Sequence, residues 1–123
     1  MSDSPKPHQA DNRSSDEDIY RLLSDPRRRQ IIWILAVADD WQMSIHQLAS
    51  HVAAYENQKE HSELSRSDIT PVRNSIKRYH IGPLSDLNVV NIDWRTVTPS
   101  HRFFGAVRVI LRGQEWSFDR QTN

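Results

Sequence analysis

Residues 67–94 read SDITPVRNSIKRYHIGPLSDLNVVNIDW, and the fold turns on how this stretch divides. Ile69, Val72, Ile76, Tyr79, Leu84 and Leu87 recur at helical spacing and give one apolar face. Arg73, Asn74, Lys77 and Arg78 fall on the opposite face. Ser67-Asp68 supplies a capping start. Gly82-Pro83 should bend or interrupt the helix, because proline has no backbone N–H to donate. After Asn88 the pattern changes: Val89-Val90-Asn91-Ile92-Asp93-Trp94 is rich in β-branched residues and reads as a strand.

The segments upstream are helical. Ser44 is a capping residue, and Ile45, Leu48, Ala49 and Val52 follow at i, i+3, i+4 and i+7, predicting an amphipathic helix to about Tyr55. Residues 56–66 carry one aliphatic side chain, Leu64, and read as a loop. Ser24-Asp25-Pro26 is a second start signal, a cap followed by proline at the first helical position. The helix Pro26–Ala38 opens with Arg27-Arg28-Arg29 and continues as the apolar run Ile31–Ala38, which suits a core or a partner subunit. A short helix precedes it, with Ser15 as cap, Asp16, Glu17 and Asp18 in its first turn, and Ile19, Leu22 and Leu23 as its stripe.

Downstream, Ala106–Leu111 is a second β-branched run, separated from the first by the polar stretch Thr96–Arg102. Phe103, Phe104, Val107 and Ile110 also fit a helix, but the valines and Gly105 favour a strand. The expected order is therefore α-α-α-α-β-β, a mainly α fold with a β-hairpin (α+β). That order is a winged helix-turn-helix. The domain is expected over residues 16–112, between a disordered acidic tail at 1–15 and a C-terminal tail at 113–123. Its helix pair would be Ser44–Tyr55 and Ser67–His80, the second entering the major groove of DNA.

Composition supports this reading once charge is mapped by region. The 123 residues hold 16 Lys+Arg and 16 Asp+Glu, a net charge of zero that argues against a nucleic-acid partner. The sum conceals a split. Residues 64–112 carry a net +5 from Arg66, Arg73, Lys77, Arg78, Arg95, Arg102, Arg108 and Arg112 against Asp68, Asp86 and Asp93. The negative excess lies mainly in the first 18 residues. No apolar run approaches the roughly 20 residues of a membrane span, and the start lacks an apolar secretory segment, so a cytoplasmic location is expected. Without cysteine there are no disulfides and no Cys-zinc sites.

Several stretches also carry a family likeness: Ile19–Arg29, Leu48–Asn57, Tyr79–Val90 and Gly105–Val109. With these the chain resembles the small winged helix-turn-helix domains of unknown function that are abundant in haloarchaea and their viruses, distantly similar to ArsR-type repressors. The resemblance covers roughly residues 17–111 and implies a winged-helix fold and a regulatory role. Two departures stand out. The two hairpin strands are widely spaced, implying an enlarged wing, and the chain is neutral where haloarchaeal proteins are typically acidic.

The candidate DNA contacts follow from side-chain chemistry. Arg and Lys pair with guanine or phosphate and Asn with adenine, so Arg73, Asn74, Lys77 and Arg78 could face the groove together, with His80 closing the reading helix. The alternative for these four is an ordinary solvated helix face. Arg95, Arg102, Arg108 and Arg112 lie on the expected wing, for phosphate or minor groove, or else as charges guarding an exposed hairpin edge. Arg27-Arg28-Arg29 sits at a helix start, where cations are unfavourable. Pairing with the carboxylates at 16–18 is the preferred explanation there, and an external anion such as phosphate the other.

Four tryptophans are many for so small a domain. Trp33, Ile34 and Val37 are candidates for a dimer surface, and Trp116 for a partner surface. His46 and His51 are five apart, not the four that stack on one helix face, so no metal is expected. Without a glycine-rich phosphate loop, nucleophile elbow or HExxH, the chain is not expected to be an enzyme or to need a cofactor. The expected function is a DNA-binding transcriptional regulator acting on duplex DNA as a homodimer. The alternative is a winged-helix adaptor that binds protein instead.

Overall fold

A computed structural model describes the backbone of residues 17–122 and the side chains of residues 17–113. The tail expected at 1–15, the Ser15 cap and the environment of Trp116 lie outside the described residues. Helix α1 covers 17–22, and α2 spans Pro26–Ala36. Strand β1 is Met43–Ser44, and α3 is Ile45–Asn57. A 3₁₀ turn, His61–Glu63, leads into a helical run from 66 to 86 made of α4 (Arg66–Ser75), a π-helical turn (Ile76–His80) and α5 (Ile81–Asp86). Strands β2 (Val90–Asp93) and β3 (Thr96–Pro99) form the hairpin, and α6 is Phe103–Thr122. The small antiparallel sheet has the order β1-β3-β2. This is a mostly helical α+β fold of winged-helix type.

Local chemistry explains most boundaries. Asp25 caps α2 by accepting from the Arg27 N–H, with Pro26 at the first helical position. Ser44 and Gln47 form a reciprocal capping box on α3, and Ser65 and Asp68 form another on α4. The cap of α4 is thus Ser65 rather than Ser67. Lys59 Nζ reaches Asp68 at 2.9 Å, and with the Ser65 N–H it holds that carboxyl below the usual carboxylate range.

The core gathers Ile31, Ile32 and Leu35 of α2, Leu48 and Val52 of α3, Ile76 and Leu84 of the long helical run, Val89, Val97, and Phe103. Only one face of α2 enters it. Trp33 and Val37, expected to be sealed in a core or interface, stand exposed on this chain, and Ile34 is half-buried.

The end of the domain differs from the sequence reading. Residues 106–111, expected as the returning wing strand, lie in α6, as in the competing helical reading of 103–111. Phe103, Ala106 and Ile110 recur at i, i+3 and i+7 and are all buried, so packing overrides the strand preference of Val107, Val109 and Ile110. The helix also continues through residues expected as a C-terminal tail. Thr96–Pro99, expected as a turn, is itself the second strand. With Asp93 opposite Thr96, the turn holds only Trp94 and Arg95, so the wing is short rather than enlarged.

Candidate nucleic-acid interface

The long helical run is the second helix of the helix-turn-helix pair, packed on α3. Its inward side chains are Val72, Ile76, His80, Ile81 and Leu84. Two consecutive inward residues, His80 and Ile81, mark the extra residue that the π turn inserts. Pro83 supplies the physical reason for that turn. In an unbroken α-helix the Tyr79 carbonyl would accept from the N–H of residue 83, and proline has none. Instead the Ile81 N–H donates back five residues to Ile76, and the Tyr79 carbonyl accepts from Arg28 Nη2 at 3.1 Å.

Arg28 is the centre of this arrangement. Its Nε donates to His80 Nδ1 at 3.0 Å, and its Nη1 donates to the Leu22 carbonyl at 3.3 Å. An N–H donor requires His80 Nδ1 to be unprotonated, so the imidazole is neutral with its proton on Nε2. Burial lowers the His80 pKa; Asp25 opposes that shift, while Arg28 and Arg27 reinforce it. Arg27 makes a two-point bond to Glu56 of α3, at 2.8 and 2.6 Å, and donates to Ser75 of α4 at 2.9 Å. Arg29 donates to the Leu23 carbonyl at 2.7 Å. All three arginines are therefore committed within the fold. Among the described residues their partners are Glu56, Ser75, His80 and backbone carbonyls, and not Glu17 or Asp18; Asp16 lies outside the described residues.

The opposite face of the run stays open. Asn74, Lys77 and Arg78 are exposed, as the sequence pattern requires, and Tyr79 joins them. Arg73 is half-buried, and its Nε is enclosed with no hydrogen-bond partner among the described residues. His80 is not on this face: at 6% exposure, and bonded to Arg28, it belongs to the interior.

The wing supplies Arg95, which is exposed, with its guanidinium 5.9 Å from the centre of the Trp94 ring. The Arg95 carbonyl accepts from the Ile45 N–H at 2.9 Å, pinning the turn to the start of α3. Arg108 and Arg112, expected on the wing, lie exposed on α6, which packs against α2. Arg102 sits half-buried just before α6, its N–H bonded to the Asn88 carbonyl at 2.9 Å. The wing is thus reduced to Trp94 and Arg95.

Trp94 was missed as a site residue. It is 85% exposed and holds a left-handed backbone, φ 63°. Its signal in the sequence is weak, because two-residue hairpin turns normally announce themselves by Gly or Asn. Trp33, Ile34 and Val37 come together, lining a cleft of about 710 Å³ with Met43, Gln47 and His51. His51 meets the ring of His61 at 4.4 Å, and burial together with His61 lowers its pKa. Among the described residues no three metal-ligating side chains converge, and no helix is long and apolar enough to cross a membrane.

With the geometry in place, comparison with known proteins adds a family. The profile described as "Domain of unknown function (DUF7344)" matches residues 20–98, more than half of the chain. The chain belongs to the DUF7344 family. The matched part of this DUF7344 protein runs from α1 into β3, so it contains the helix-turn-helix pair and the wing turn. No curated protein and no solved structure gives a match.

Proposed function

We propose that this DUF7344 protein is a sequence-specific DNA-binding transcriptional regulator, working as a homodimer in the cytoplasm. The proposal includes its kinship with the winged helix-turn-helix domains of haloarchaea and their viruses and, more distantly, with ArsR-type repressors. One observation carries the reading. The cations of α2 are spent on internal bonds, whereas Asn74, Lys77 and Arg78 stand unburied on the outer face of the second helix of the pair. That is where a helix-turn-helix protein reads base edges. Arg95 is well placed on the wing for backbone or minor groove.

A zero net charge fits a binder whose non-specific affinity is modest and whose discrimination rests on a few side chains. Trp33, Ile34 and Val37 serve as the dimer surface in this proposal. Selection of bound duplexes from a randomised pool, run at low and at high salt, tests it. A two-fold symmetric motif enriched at both salts is expected; a pool that stays random contradicts sequence-specific binding.

The exposed apolar cleft at Trp33 and Val37 also favours a second reading, a winged-helix adaptor for a protein partner. Retention on random duplex across a salt gradient separates the two. An adaptor elutes at low salt, and a DNA binder is held.

A further inference from the structure

The wing turn contains a bulky residue where backbone geometry favours none. With Asp93 paired to Thr96, Trp94 is the first of two turn residues and holds φ 63°. Glycine is the usual occupant of such a position, because a side chain there crowds its own backbone. The conformation persists because the turn is fixed on both sides, by the β2–β3 register and by the Ile45 N–H bonded to the Arg95 carbonyl. The indole is little used by the fold: it is 85% exposed, and among the described residues its aromatic or cationic neighbour is the Arg95 guanidinium.

A large apolar ring held in water on a strained, rigid turn is suited to a ligand with a flat face. The charge around it narrows the class of contact. Asp93 and Arg95 flank Trp94 with opposite charges, so the turn carries no net charge and the contact made by the ring is separate from any that Arg95 makes with the backbone.

We infer that Trp94 is an aromatic wedge that enters the minor groove of the bound duplex and stacks on a base step beside the site read by Asn74, Lys77 and Arg78. The inference rests on the DNA-binding reading and deepens it by naming a contact that is insensitive to salt. Wedges of this kind unstack a step and bend the duplex, and an aromatic contact with a base is sequence-tolerant. Trp94 therefore strengthens and bends, while the long helix discriminates.

The test measures affinity and DNA bending with a duplex carrying a dye at each end, at several salt concentrations. Wild type is compared with Trp94→Gly and Trp94→Phe. Glycine suits the turn, so the thermal midpoint of Trp94→Gly should equal or exceed that of wild type. Its affinity should fall about 5- to 150-fold by the same factor at every salt, with the duplex straightened and the salt slope unchanged. Trp94→Phe, keeping a ring, should recover most of both. Equal affinity and bend in Trp94→Gly and wild type overturn the wedge while leaving DNA binding intact. A shallower salt slope in Trp94→Gly also overturns it, because the turn would then act through charge. Wild type that binds no duplex overturns the DNA-binding reading and the wedge together.

Discussion

Replacing Arg28 with Ala should loosen the long helical run at its π turn. The guanidinium makes three bonds: to His80 Nδ1, to the Tyr79 carbonyl and to the Leu22 carbonyl. The Tyr79 carbonyl bond is exposed to water, which can replace much of what is lost there, and the bond to the Leu22 carbonyl is long at 3.3 Å. His80 is buried, and an orphaned buried acceptor costs about 1–3 kcal/mol. Adding about 0.5–1 kcal/mol for the Tyr79 carbonyl gives roughly 1.5–4 kcal/mol in all. For a domain of this size that is a fall of roughly 6–30 °C in thermal midpoint.

Urea unfolding followed by circular dichroism measures the cost, and Pro83 provides the internal control. In a Pro83→Ala background the residue-83 N–H is restored and can serve the Tyr79 carbonyl. Removing Arg28 should then cost about 0.5–1 kcal/mol less than in the wild-type background. Comparing the two backgrounds cancels the effect of Pro83→Ala on the unfolded chain. An Arg28→Ala cost below about 0.5 kcal/mol, or the same cost in both backgrounds, would refute the account of the π turn.

Two further outcomes follow from other parts of the fold. Gly105 lies inside α6 with open space where a Cβ would be placed, so Gly105→Ala should stabilise by about 0.5–1 kcal/mol. A thermal melt checks this, and a destabilised variant would argue against helix at that position. His80 and His51 have pKa values below that of an ordinary histidine, chiefly through burial. The unfolded chain therefore binds more protons just below its own histidine pKa of about 6.5, and stability should rise with pH through that window. The contribution is complete above about pH 6.5 and is lost as pH falls through the lowered folded values. A urea midpoint that is lower at about pH 5.5 than at about pH 7.5 is expected; the opposite order would contradict the neutral, bonded state of His80.

What sequence could and could not disclose divides along the range of the interactions. Ser44 with the stripe Ile45, Leu48, Ala49 and Val52 places α3 to within two residues at its end, because capping and amphipathic spacing are local. Asp25-Pro26 places α2 for the same reason. The outward side of Asn74, Lys77 and Arg78 follows from the inward spacing of Val72 and Ile76. The wing was misplaced because Thr96–Pro99 is a short strand without a Gly or Asn turn before it. The β-branched run at 106–111, in turn, is helical only because Phe103, Ala106 and Ile110 find an apolar surface to fill. His80 was misassigned because its partner, Arg28, is 52 positions away, and the π turn inserts an extra residue that carries His80 inward. The commitments of Arg27 and Arg29 were likewise set by packing that no local pattern announces.

The most direct test is the salt dependence of duplex binding by the Lys77→Ala/Arg78→Ala double variant beside wild type, on a duplex recovered by selection. Both side chains are exposed and, among the described residues, neither makes an internal bond, so the variant should keep the wild-type thermal midpoint. If both cations meet phosphate, the log–log slope of affinity against salt should become shallower by about 1.8, at 0.9 per contact. Where one reads a base instead, discrimination at that position should drop by about 1–3 kcal/mol. Unchanged affinity, slope and sequence preference would contradict the assignment of this helix as the DNA-reading element.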